Sequence, residues 1–77
     1  MKKSEILETL AHKYKIGHQV YVSMEEQAYM ALEKGKMRDY KNLTKRAAYR
    51  AATLSGIKQS ALALGITESD FMDAVNA

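Results

Sequence analysis

Asn42-Leu43-Thr44-Lys45-Arg46-Ala47-Ala48-Tyr49-Arg50-Ala51-Ala52-Thr53-Leu54 carries an apolar stripe and a cationic one on the same segment. Leu43, Ala47, Ala51 and Leu54 recur at spacings of four, four and three, the period of a helix with one face turned to a core. Asn42, Lys45, Arg46, Tyr49, Arg50 and Thr53 fall on the opposite face. The segment therefore reads as a helix beginning near Asp39 or Asn42 and reaching Leu54. The same alanine, leucine, lysine and glutamate usage fills the chain on either side, so the expected class is all-α.

Working outward, the chain resolves into short helices separated by glycines. Toward the N-terminus, Ser4 can cap a helix over about Glu5–Lys15, with Ile6, Leu7, Leu10 and Tyr14 on one stripe and Gly17 as its stop. Gln19-Val20-Tyr21-Val22 is β-favouring and predicts one short extended segment near Val20–Val22. Ser23-Met24-Glu25-Glu26 has the form of a capping box, opening a second helix with Ala28, Ala31 and Leu32 inward and an end near Gly35. Beyond the central helix, Ser55-Gly56 can break the chain before a short helix over Ile57–Leu64, and Gly56 costs only about 1 kcal/mol if the helix continues through it. Gly65 then predicts a turn, and Thr67 caps a last helix over Glu68–Asn76 with Phe71 and Val75 inward. The expected architecture is a single small domain, a bundle of four to five short helices.

The bulk properties bound the function. With 77 residues and no cysteine, the chain has no disulfide to hold it and no thiolate metal site, and nothing points to an oxidising compartment, so a cytoplasmic protein is expected. Short unstapled chains gain stability by self-association, and a homodimer is the expected state. Glu5, Glu8, His12 and Lys13 interrupt any leader-like run, and no apolar stretch approaches the roughly 20 residues of a membrane span, so no membrane partner is expected.

Charge is segregated along the chain. Lys34 to Lys58 holds eight cations, Lys34, Lys36, Arg38, Lys41, Lys45, Arg46, Arg50 and Lys58, against Asp39 alone. Gln59 to Ala77 holds Glu68, Asp70 and Asp73 and no cation. The cations, together with Tyr49, form the candidate binding set. Cations, hydrogen-bond donors and an aromatic on one helix suit a phosphate backbone, and coulombic steering serves an acidic protein surface equally. A solvated basic face is the plain alternative to both.

Ser60 to Val75 resembles the helix-turn-helix of Cro-type DNA-binding repressors. Ala61 is the small residue at the crossing, Leu64-Gly65 forms the turn, and Ile66, Phe71, Ala74 and Val75 supply the apolar positions. The resemblance implies a helix-turn-helix-like C-terminal half, with Glu68–Asn76 in the recognition position. That helix departs from the family by carrying three carboxylates and no cation, which phosphates repel. Val20 to Glu26 also resembles the strand-then-helix entry of ribbon-helix-helix repressors, which implies Gln19, Tyr21 and Ser23 offered to a groove.

Enzyme chemistry is not expected. His12 and His18 do not share a helical face. Glu8 and His12, four apart, suit a surface ion pair better than a zinc site, and no phosphate loop or nucleophile signature is present. No cofactor is expected. The expectation is a small DNA-binding or nucleic-acid-associated regulator of the kind carried by a phage or plasmid, with DNA ahead of RNA as its partner. The alternative is an inhibitor or adaptor docking on an acidic partner surface without nucleic acid.

Overall fold

A computed structural model describes residues 2–77. Among them the chain forms three helices: α1 over Lys3–Glu33, α2 over Met37–Ala63 and α3 over Glu68–Asn76. α1 and α2 are the arms of one long hairpin, and α3 folds back across its open end, packing mainly on α1. The molecule is a rod of 49 × 21 × 19 Å. Its long dimension is that of α1, about 1.5 Å for each residue. No helix is long and apolar enough to cross a membrane.

The arms pair along a seam that recurs every seven residues. On α1 it runs Leu7, Tyr14, Tyr21 and Ala28, alternating with Leu10, Gly17, Met24 and Ala31; on α2 it runs Tyr40, Ala47, Leu54 and Ala61, alternating with Leu43, Arg50 and Ile57. This is the repeat by which two helices keep one stripe turned to each other. The seam is unequal along its length. At the α3 end, Ala11, Ala61, Ile66, Phe71 and Val75 form a buried cluster, with Ala61 and Phe71 at 0% exposure and Tyr14 meeting Phe71 edge to face at 5.3 Å. At the tip, the buried residues are Ala28, Ala31 and Ala47, flanked by half-buried Leu43 and Tyr40.

Both long helices end in the same way. Gly35 has φ +72° and Gly65 has φ +83°, backbone that glycine adopts without a Cβ clash. After α1, Lys36 N–H donates to Ala31 C=O at 2.9 Å and Gly35 N–H to Leu32 C=O at 3.1 Å. After α2, Ile66 N–H donates to Ala61 C=O at 3.1 Å and Gly65 N–H to Leu62 C=O at 3.0 Å. These paired bonds satisfy the last carbonyls of each helix, and the second set places Ile66 in the core beside Ala61. Thr67 then caps α3, its hydroxyl accepting from Asp70 N–H at 3.1 Å, as its sequence predicts.

The four to five short helices expected from the sequence are three, because two expected interruptions do not occur. Gln19-Val20-Tyr21-Val22 is helical, so there is no extended segment near Val20–Val22 and no strand for a ribbon-helix-helix entry. Gly17 lies inside α1 and Gly56 inside α2. Local propensities of a few tenths of a kcal/mol up to about 1 kcal/mol per residue yield to a continuous seam. Ser4 and Ser23 are inside α1 rather than at caps, and the Ser23 hydroxyl accepts from Gln27 Nε2 at 3.2 Å. α2 begins at Met37, ahead of Asp39 and Asn42. Leu32 and Ala51, expected inward, are exposed, while Arg50, expected on the outer face, is half-buried in the seam.

Candidate functional site: a cationic groove along the hairpin

A two-helix hairpin has two long sides, and its charge differs between them. On one side, Gln27, Met30 and Ala31 of α1, Lys34 and Lys36 of the turn, and Asp39, Asn42, Leu43 and Arg46 of α2 line a groove. Next to it, Met24, Arg46, Tyr49, Arg50 and Thr53 line a second depression, so Arg46 joins the two. Lys34, Lys36, Arg46 and Arg50 are thus brought to one side, with Asp39 the single acid among the lining residues.

The anchoring of these cations follows from the seam. Arg50 occupies a seam position, and its stem fits because Gly17 faces it without a side chain: a Cβ at Gly17 would lie 3.9 Å from Arg50 Cδ. Among the described residues no side-chain nitrogen or oxygen is buried without a partner, so the guanidinium is not stranded in the seam. Arg46 and Arg50 are one helical turn apart, and Tyr49 beside them is 69% exposed. The Thr53 hydroxyl donates to Tyr49 C=O at 3.1 Å and holds that turn.

The remaining expected residues separate from this groove. Arg38, Lys41 and Lys45 are exposed and, by helical spacing, run along the outer ridge of α2. Lys58 is on the other side, where its ammonium donates to a carboxylate oxygen of Glu68 on α3. That hydrogen bond, with the Glu68 and Tyr14 charges, holds the Lys58 ammonium above its ordinary value against a smaller opposing effect of burial. Lys58 therefore ties α2 to α3 and stands apart from the cations that line the groove. Glu8 and His12 form no ion pair; they lie with Leu7, Ala11 and Lys15 in a depression beside α3.

α1 supplies residues to the groove that reading by sequence does not include: Met24, Gln27 and Met30. The signal for them is present in the seven-residue recurrence, which sets Gln27 and Lys34 on the meridian facing Arg46 once α1 is read as unbroken. Tyr14, His18 and Tyr21 lie in sequence along the other side of α1, with ring centroids 6.3 Å apart at each step. Glu25, one helical turn on, holds the Tyr21 phenol above its usual range, first by hydrogen bonding and then by its negative charge.

Compared with known proteins, the chain matches no family model, no curated sequence and no solved structure.

Proposed function

We propose that this protein is a small nucleic-acid-associated regulator that holds a phosphate backbone along the cationic side of its hairpin. The observation that carries the reading is the convergence of Lys34, Lys36, Arg46 and Arg50 on one groove, flanked by the Arg38, Lys41 and Lys45 ridge. Cations in a row on one rigid helix track successive phosphates, and Gln27, Asn42 and Thr53 add neutral donors of the kind that position a backbone. Exposed Tyr49 offers an aromatic face to an unstacked base.

The resemblance of the Ser60–Val75 sequence to Cro-type units puts duplex DNA ahead of RNA in this proposal. The turn at Gly65 serves here as a frame that seats α3 on α1. α3 itself carries only acids, and Glu68 is engaged by Lys58, so base reading by that helix has no chemical support.

Titration against duplex DNA and RNA at two salt concentrations tests the reading. Binding that weakens with salt and is lost on changing the groove cations supports it. If neither nucleic acid binds at low salt, the groove is better assigned to an acidic protein surface. Met30 and Tyr49, exposed in that groove, are residue types enriched at protein interfaces, which favours that second reading over a bare solvated face.

A further inference from the structure

Arg50 is the only charged residue in the seam of either arm. The bare Cα of Gly17 gives its stem room to lie along α1, 3.9 Å from where a Cβ on that glycine would stand, before the guanidinium reaches solvent. Arg50 is half-buried, and its packed stem leaves the head little freedom, whereas Arg46, one turn earlier, is exposed along its length.

This placement works against the fold. A cation at the seam loses part of its hydration, which an apolar residue there would not miss. Arg46, four residues before it, adds a like charge on the same helix face. The chain supplies no compensating acid. Among the described residues the one ion pair is Lys58–Glu68, and no carboxylate lines the depression formed by Met24, Arg46, Tyr49, Arg50 and Thr53. Glu25 and Glu26, which follow Met24 in sequence, line a different depression, formed by α1 alone.

Two guanidiniums without an acid, one fixed and one free, complement a phosphate, because each fork can donate to two oxygens at once. The geometry points to a discrete phosphate subsite in this depression, with Arg50 as its fixed anchor and Arg46 as the second donor to the same anion. The subsite rests on the reading of this side as a surface for a phosphate backbone, and narrows that reading to one point. Arg50 sets where the backbone lies along the rod, and the cations on exposed stems follow it. Such a contact fixes register without reading bases.

Two substitutions at Arg50 separate an anchor from an ordinary seam residue. Arg50→Met keeps an unbranched stem and removes the charge. It is expected to raise the urea midpoint, because an apolar side chain suits the seam, and to weaken duplex binding by about tenfold or more. Arg50→Lys keeps the charge and loses the fork, and is also expected to weaken binding by about tenfold, against about threefold or less for Arg46→Lys. A lowered midpoint for Arg50→Met, or an affinity that Arg50→Lys leaves as in the parent, overturns the subsite. The source of the phosphate is read from the Arg50 Nε–H resonance, titrated with inorganic phosphate and with a DNA duplex at constant ionic strength. Both are expected to move it, and the duplex to displace inorganic phosphate. A duplex that binds without moving Arg50 overturns the subsite and leaves the backbone reading standing. A resonance moved by inorganic phosphate while no duplex binds keeps the subsite, assigns it to a free phosphate and removes the backbone reading. A resonance that neither probe moves overturns the subsite.

Discussion

Gly17 of α1 and Leu54 of α2 meet so closely that a Cβ on Gly17 would stand 2.8 Å from Leu54 Cδ2. The glycine is therefore a socket for the leucine, and the helix passes through it because the contact offsets what glycine costs in a helix interior. Gly17→Ala gains about 1 kcal/mol of helix propensity but overpacks a buried site, which costs about 1–3 kcal/mol. The expected net result in urea unfolding is a loss. In a Leu54→Ala background the same change is expected to become stabilising. A Gly17→Ala effect with the same sign in both backgrounds contradicts the socket.

Gly56 makes the opposite case. It is exposed within α2, and a Cβ there meets nothing within 4 Å. Gly56→Ala is expected to stabilise by about 1 kcal/mol, seen as a raised denaturation midpoint at unchanged m value.

Thr67 supplies the only side-chain cap that any of the three helices of the described residues receives. Thr67→Ala is expected to cost about 1 kcal/mol, and Thr67→Ser to restore most of it. Because α3 is short and closes the core over Phe71, the loss should appear first as greater mobility of Tyr14 and Phe71 in their aromatic proton resonances.

The cations of α2 should act through number rather than sequence. Changing Lys45, Arg46 and Arg50 together to alanine is expected to weaken binding to all duplexes alike. The salt dependence should flatten by about 0.9 for each phosphate that is no longer neutralised. Neutralising Asp70 and Asp73 is expected to leave affinity unchanged or raise it. Measured isotherms at several salt concentrations decide between this and base reading by α3, which predicts the reverse ranking.

The Lys58–Glu68 pair ties α3 to α2 and should report its own pH window. The Lys58 ammonium is held above the ordinary lysine value of 10.5 by Glu68. A raised value means that the contribution to stability is complete below the ordinary value and is lost as pH rises through the raised one. Glu68→Gln is therefore expected to move the Lys58 titration, followed by side-chain NMR, back toward the ordinary value. Its effect on unfolding should be small, as for other exposed pairs, and should vanish in strongly alkaline solution.

The C-terminal third was the legible part of the chain. Leu64-Gly65, the Thr67 cap and the Phe71–Val75 spacing each have one dominant local cause, and the structure realises all three. The hairpin was legible only as helical segments. Gly17 and Gly56 suggest stops, and Val20 and Val22 suggest a strand, when each is judged over a short window. The feature that overrides them is the seven-residue recurrence from Leu7 to Ala31 and from Tyr40 to Ala61, and it is hidden by two unusual occupants. A glycine stands in the seam on α1 and an arginine opposite it on α2, and neither is apolar. Their complementarity, one giving room for the other's stem, belongs to the pair and cannot be read from either residue alone. The same break obscured the groove, whose α1 wall exists only if that helix runs on past Gly17.

The unequal seam also bears on how the molecule opens in solution. Phe71, Ile66, Val75 and Leu54 are all buried toward the end that α3 closes, while alanines do the burying at the tip. Backbone amides near Tyr14 and Ala61 should exchange their hydrogens only when the whole chain unfolds, and those near Ala31 and Leu43 through local fraying at far lower cost. The rod is thus anchored at one end and yielding at the other. The yielding end is where the cationic groove begins, so a ligand that bridges Lys34 to Arg46 would slow exchange at the tip while leaving the anchored end as it was.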